Sequence, residues 1–215
     1  MAKQLRAEQT RTTIVRAAAE VFDRYGYGTS SLSDIVAQGG VTKGALYFHF
    51  SSKEELAHTV MLTQHQTSIE AARQLAAKNL PGLEAVIRMS FELAAQLLND
   101  PVVRAGIRLT LEGGAFQQPL PDPYRDWIKI TADLLRQSVT ELDIRANLDI
   151  DNTARFIVSA FTGVQLVTQV IDSRRALPAR IADMWEVIIP GLVPPRKVSY
   201  HLGVVAEMSA ETTPA

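Results

Sequence analysis

An all-α fold is predicted, with a small three-helix headpiece at the N-terminus and a larger helical domain after it. Three observations predict it. Apolar residues recur at three- and four-residue spacing through nearly the whole chain, and no stretch alternates as a half-buried strand would. Glycine and proline punctuate these periodic stretches, at Gly26, Gly39-Gly40, Pro81-Gly82, Pro101, Gly113-Gly114 and Pro194-Pro195. Near the N-terminus, two short segments are parted only by Gly39-Gly40, which leaves room for a tight turn and nothing longer.

The elements follow in order. Ile14, Ala17, Ala18, Val21 and Phe22 give helical spacing to a first segment from Arg6 to Tyr25, and Gly26 supplies a stop. A second begins after Ser30 or Ser31, with Leu32, Ile35 and Val36 on one face. Thr42 can cap a third, very short helix with its hydroxyl. Lys43, Gly44 and Tyr47 then lie on its exposed early turns, with Leu46, Phe48 and Phe50 as apolar anchors. Gly44 is a poor helix former, so its presence suggests a surface that something approaches closely, such as a phosphate backbone or a groove wall. Two short helices joined by a glycine turn, the second polar and outward, form the helix-turn-helix arrangement that reads DNA.

Ser52 with Glu55 three residues on forms a capping box for a long connecting helix to about Lys78, bearing Leu56, Val60, Leu62, Ile69 and Leu75. Further helices are expected over Leu83–Leu98, Pro101–Glu112, Tyr124–Leu142, Asn152–Asp172, Leu177–Ile189 (interrupted by Pro190) and Lys197–Met208. Residues 113–123 form a long loop, and 209–215 a frayed tail. The expected domains are 1–52 for DNA binding, 53–208 for ligand binding and dimerisation, and the tail 209–215.

Composition narrows the function classes. The 215 residues are 47% hydrophobic and 21% charged, which suits a globular chain with one substantial core. There is no cysteine, so disulfides and thiolate metal sites are excluded. The polar start at Lys3 and Arg6 is unlike a signal peptide, and the low-charge stretch Phe156–Ile171 falls short of the ~20 residues that span a bilayer. A soluble cytoplasmic protein without membrane partners is expected. Net charge is −1, yet residues 1–50 carry six cations (Lys3, Arg6, Arg11, Arg16, Arg24, Lys43) against four acids (Glu8, Glu20, Asp23, Asp34). Local potential governs phosphate contact, and a bland solvated face would carry a similar excess.

Residues 6–55 resemble the DNA-binding domain of the TetR family of bacterial regulators, on Thr12-Thr13-Ile14, Ala17-Ala18, Phe22, Gly26-Tyr27 and the block Val41–Glu55. The chain further resembles the gamma-butyrolactone receptors of Streptomyces, on its start Met1-Ala2-Lys3-Gln4, on Val102–Leu109, on Trp127 after a Pro-rich loop, and on Phe161–Gln165. That resemblance implies a homodimer on a pseudo-palindromic operator, released by a small gamma-butyrolactone or butenolide signal, with control of antibiotic production. It also implies dimerisation through the last long helices, which agrees with Phe156–Ile171 being apolar almost all round.

Single residues carry alternatives. Lys43 is expected on a phosphate or a guanine edge, against a solvated lysine. Tyr47 and His49 can donate to phosphates, and His49 can equally be a satisfied structural histidine. Thr42 is a cap under either reading, Lys53 stands where a helix start favours phosphate, and Arg11 and Arg16 are generic backbone contacts. Trp127 offers a broad apolar face with one donor for closing over a small amphipathic ligand, or serves the core. Thr162 and Gln165 are ligand candidates, or bond to neighbouring backbones or across the dimer seam, while the second reading is preferred for Thr168 and Gln169. Gln64 is a pocket contact or a surface glutamine. No metal spacing links His49, His58, His65 and His201, and no nucleophile motif or phosphate-cradling loop occurs, so neither enzyme activity, metal nor cofactor is expected. The competing classes are a ligand-gated repressor, a DNA-binding regulator that senses an antibiotic or intermediate or no ligand, and, remotely, a hydrolase on a helical scaffold.

Overall fold

The computed structural model describes residues 2–116 and 123–213, and all its regular structure there is helical. In chain order the helices are α1 (Ala2–Thr29), α2 (Leu32–Gly39), α3 (Lys43–His49), α4 (Lys53–Ala76) and α5 (Gly82–Asn99). Then come α6 (Pro101–Leu111), a 3-10 turn (Gly113–Ala115), α7 (Pro123–Thr140), α8 (Ile150–Asp172), α9 (Leu177–Leu192) and α10 (Pro195–Thr212). The side chain of Lys3 and most of the expected Pro-rich loop, residues 117–122, lie outside the described residues. Two compact units result, residues 1–69 with 99–121 and residues 70–98 with 122–215. The first unit is therefore larger than the headpiece alone, because α6 and most of α4 belong to it.

Local chemistry sets the boundaries of the first unit. At Gly26 the backbone leaves helical geometry with φ +78, and a Cβ built there would lie 2.6 Å from Arg108 Nη2. The positive φ requires glycine, whereas the Arg108 and Glu112 tips that approach are the movable ends of long side chains. Ser31 caps α2 in a reciprocal box with Asp34, and Gly40, at φ +59, ends it. At α4 only half the expected box forms. Ser52 Oγ accepts from Glu55 N at 3.0 Å, but the Glu55 carboxylate accepts from Ser51 N at 2.8 Å instead.

Ile14, Ala18, Phe22, Ile35, Leu46, Phe50, Leu56 and Val60 form one buried core with Ala105 and Leu109 of α6. Phe48 departs from expectation: it is 78% exposed. On a helix turning about 100° per residue, Phe48 lies on the side opposite Leu46, so the two cannot share a core. Leu62 is likewise exposed, and Gln64 and Ser68 are buried in its stead. A polar strap ties α6 to the end of α1: Arg104 Nε reaches Asp23 Oδ2 at 2.7 Å, Arg108 Nη1 donates to the Asp23 carbonyl at 2.7 Å, and Tyr27 N donates to Glu112 Oε2 at 2.8 Å.

In the second unit Trp185 is wholly buried and donates to Ser90 Oγ at 2.9 Å. Helices α5 and α7 cross closely at Gly82, where a Cβ would come within 2.1 Å of the Leu134 carbonyl. Helix α9 runs through Pro190, where an interruption was expected. Proline costs an amide and its ring strains the preceding turn, but the site is near the helix end, where carbonyls need outside partners. Arg145 supplies them, its backbone N to Leu192 O at 2.9 Å, and its guanidinium to Val193 O and Pro190 O, each at 3.1 Å. Helix α10 continues past Met208 through the first residues assigned to the tail.

Helix α8 begins two residues before the expected Asn152, and its 23 residues are long and apolar enough to cross a membrane by length and composition alone, as core helices of soluble proteins also are. Its exposed side chains include Phe156, Val167, Val170 and Ile171, with Val170 at 86% and Val187 of α9 at 80%.

Candidate nucleic-acid interface

The short α3 is set by its cap and two anchors. Thr42 Oγ1 accepts from Ala45 N at 3.1 Å, while Leu46 and Phe50 are buried. What remains outside is Lys43, Gly44, Tyr47 (58% exposed) and Phe48. A Cβ on Gly44 would meet only Thr42 Oγ1, at 3.9 Å, so nothing within this unit demands glycine there. His49 is half-buried and stands edge-on to Phe48, with ring centroids 5.0 Å apart.

Lys53 is turned inward. Its ammonium donates to the carbonyls of Tyr27 at 2.8 Å and Ser30 at 2.9 Å, and lies 4.2 Å from the Tyr27 ring centre. Two of its three N–H donors are thereby engaged, so it fastens the start of α4 to the α1–α2 connection. Arg11 stacks over Phe50 at 5.4 Å, and Arg16 pairs with Glu20 at 3.5 Å. The cations of this surface are thus partly structural, and Lys43 is the one placed on α3 itself.

The ligand candidates divide between the units. Gln64, in the first, is buried rather than a surface residue; its amide donates to Ser68 Oγ at 3.2 Å, and its stem fills the space left by Gly106. In the second, Trp127 is half-buried on α7, one turn after Tyr124. Burial raises the Tyr124 phenol above its ordinary pKa, against a hydrogen bond shared with Thr162. Thr162 also donates to Val158 O at 2.8 Å. Gln165 is buried; its Oε1 accepts from Arg174 at 3.3 Å, while its Nε2 has no hydrogen-bond partner among the described residues. Thr168 is buried and donates to Val164 O at 2.7 Å, whereas Gln169 is exposed. The structure therefore brings Tyr124 to Thr162, a pairing not foreseen. The Tyr124–Trp127 spacing puts both rings on one face of α7, but it does not pair that face with Thr162 of α8.

The same unit carries an open groove of about 840 Å³ between α8 and α9, lined by Phe156, Val164, Val167, Ile171 and Val187 among others. Trp127, Thr162 and Gln165 are not in its lining. No cluster of three or more His, Asp or Glu side chains that could hold a metal occurs among the described residues.

Two parts of the chain match known families. Residues 14–60 match the family of bacterial regulatory proteins described as tetR, and residues 80–194 match the tetracyclin repressor-like C-terminal domain. The A-factor receptor protein of Streptomyces griseus is 38% identical over 98% of this chain and 71% of its own length. A crystal structure of a gamma-butyrolactone receptor (ArpA-like protein) is 40% identical, with TM-score 0.85, over 96% of this chain and 99% of that one. CprB of Streptomyces coelicolor, solved with its biological operator sequence, is also 40% identical with TM-score 0.85, over 95% of this chain and 98% of its own. The chain belongs to the tetR family, related to the A-factor and gamma-butyrolactone receptors, and is a soluble, cytoplasmic, homodimeric and ligand-responsive DNA-binding regulator of transcription rather than an enzyme.

Proposed function

We propose that this regulator represses genes of secondary metabolism from a pseudo-palindromic operator and is released by a small gamma-butyrolactone or butenolide. The observation that carries the DNA side of this reading is the outer face of α3, where Lys43, a glycine with no internal reason to be glycine, and Tyr47 are presented together. Lys43 donates to guanine O6 or N7, and Gly44 lets the backbone approach the groove. Thr42, Tyr47 and His49 donate to phosphates and fix the register. Lys53 contributes to phosphate through its remaining donor while holding α4 in place. On this reading residues 1–52 bind DNA, 53–208 bind ligand and dimerise, and 209–215 are a tail.

The ligand side rests on Trp127, Thr162 and Gln165. A lactone carbonyl would take up the unpartnered Gln165 Nε2, and the Trp127 ring would cover the ring or chain of the ligand. Gln64 is a separate candidate contact, whose amide would exchange Ser68 for the ligand. The dimer seam is the α8–α9 face, because Val170, Ile171 and Val187 lose their water only against a second apolar surface. A two-fold pair of such chains presents two copies of α3 to two half-sites.

Release is a population shift. A ligand that fits one tilt of α4 better than another lowers operator affinity by no more than its preference between the two states, about 1.4 kcal/mol for a tenfold effect. The test is a gel-shift titration on a pseudo-palindromic butyrolactone-receptor operator, with and without a panel of gamma-butyrolactones and butenolides. A shift reversed by one of them supports the reading. A shift that none reverses demotes Trp127, Thr162 and Gln165 to packing, or points to an antibiotic-like signal.

A further inference from the structure

We propose that Phe48 reads sequence, its ring packing on the 5-methyl group of a thymine in the major groove of the operator. The inference rests on α3 entering that groove, and extends it from polar contacts to an apolar one. Phe48 is 78% exposed, more than Tyr47 at 58%, although it is the more apolar of the two. Leu46 marks the inward direction of α3, being fully buried. Gly44 and Phe48 each stand two residues from Leu46, about 200° around the helix, and four residues from each other. They form one stripe along the outermost crest, flanked by Lys43 and Tyr47. Gly44 has no side chain, so the turn preceding Phe48 on that stripe is open, and the ring stands as the tallest apolar feature of the crest. The His49 imidazole meets it edge-on at 5.0 Å, which steadies the ring without covering its outer side.

The chemistry selects the partner. A phenyl ring has no donor for a phosphate oxygen and no means of reading an amide or carbonyl edge. Among the groups lining the major groove, the thymine methyl is the apolar one, and phenylalanine is among the side chains that match it. Lys43 and Tyr47 supply polar contacts from the flank, leaving Phe48 to discriminate thymine from the other bases at its position.

The experiment uses the full-length protein and an operator duplex recovered by selection from random-sequence duplexes. Each thymine of one half-site is replaced in turn by deoxyuridine, which removes only the methyl group. Wild-type protein is expected to lose about fourfold in affinity at one such position, the effect of one buried methyl. Phe48→Ala should bind the thymine and deoxyuridine duplexes equally, at the wild-type affinity for the latter, and should unfold thermally like wild type because the ring is exposed. Phe48→Leu should keep part of the discrimination. A Phe48→Ala protein with the wild-type thymine preference, or with unchanged affinity for the thymine duplex, overturns the proposal. Equal loss on operator and random duplexes also overturns it, since Phe48 would then act without reading a base. If Lys43→Ala too leaves operator affinity unchanged, or if selection recovers no operator, it is the placement of α3 that fails.

Discussion

Two surfaces of this chain leave apolar side chains in water, and they do so differently. On α3 the exposed rings of Tyr47 and Phe48 are set among a lysine, a glycine and a histidine on a helix of seven residues. On α8 and α9 the exposed Phe156, Val167, Ile171 and Val187 line an open groove whose lining also includes Asp172, Arg180 and Asp183, and Val170 is exposed on the same helix as Ile171. A mixed face with a few rings suits a ligand that is itself mostly charged, with isolated apolar groups. A predominantly apolar face with a few charges among its lining suits another protein face of the same kind. The two surfaces thus call for different partners, nucleic acid for the first and a second copy of the chain for the second.

The largest effect expected from breaking this contrast is at the seam. Val170→Glu puts a charge on the apolar face, and two-fold symmetry brings its copy into the same interface. Sedimentation should show monomers, and operator affinity should fall at least a hundredfold because each monomer reads one half-site alone. A dimer of unchanged strength would move the seam elsewhere.

On the other surface, Lys43→Ala removes one base contact and should weaken operator binding about tenfold, in the range of 1–3 kcal/mol for one good base contact. Ligand affinity, followed by calorimetry, should not change. Trp127→Ala reverses the pattern: operator affinity stays within about twofold, while the ligand that releases wild-type protein no longer does so. Release at the wild-type ligand concentration would remove Trp127 from the gate.

A smaller effect lies in the core of the second unit, where no ligand is invoked. His201 is fully buried; its Nε2 lies 3.0 Å from Asp143 Oδ2, off the line of a good hydrogen bond, and Lys197 Nζ takes the other carboxylate oxygen at 3.0 Å. Burial holds the imidazole below its ordinary pKa of 6.5, against the pull of Asp143. The unfolded chain therefore takes up this proton first as pH falls. The stability associated with a neutral His201 is present above pH 6.5 and lost as pH falls through the lower folded value. Urea unfolding between pH 7 and 5 should show this loss, and His201→Gln should flatten it. A slope unchanged in the variant would assign the acid sensitivity to other groups.

Local chemistry made much of the first unit legible. The caps at Ser31 and Thr42 and the stops at Gly26 and Gly40 involve residues within a turn of each other, so the sequence order already places the partners. What was not legible depends on distant partners. Lys53 looks like a free cation until the fold brings the Tyr27 and Ser30 carbonyls to it. Pro190 looks like a helix stop until Arg145 arrives to satisfy the last turn. Phe48 was misplaced because seven residues are too few to establish a periodic face. The Tyr124–Thr162 pair joins two helices whose register no spacing rule supplies. The ligand residues stay proposals for the same reason: a pocket is a tertiary object, and Gln64 shows how a buried polar side chain can be occupied by its own neighbours.

The most direct test of the α3 assignment is Gly44→Ala, measured twice on the same protein. A methyl group there meets nothing closer than 3.9 Å within the unit, and alanine is the better helix former by up to about 1 kcal/mol. Thermal unfolding should therefore stay the same or move upward, while operator affinity falls about tenfold or more because the groove wall no longer fits. Unchanged stability with unchanged operator affinity would contradict the claim that this face of α3 lies against DNA.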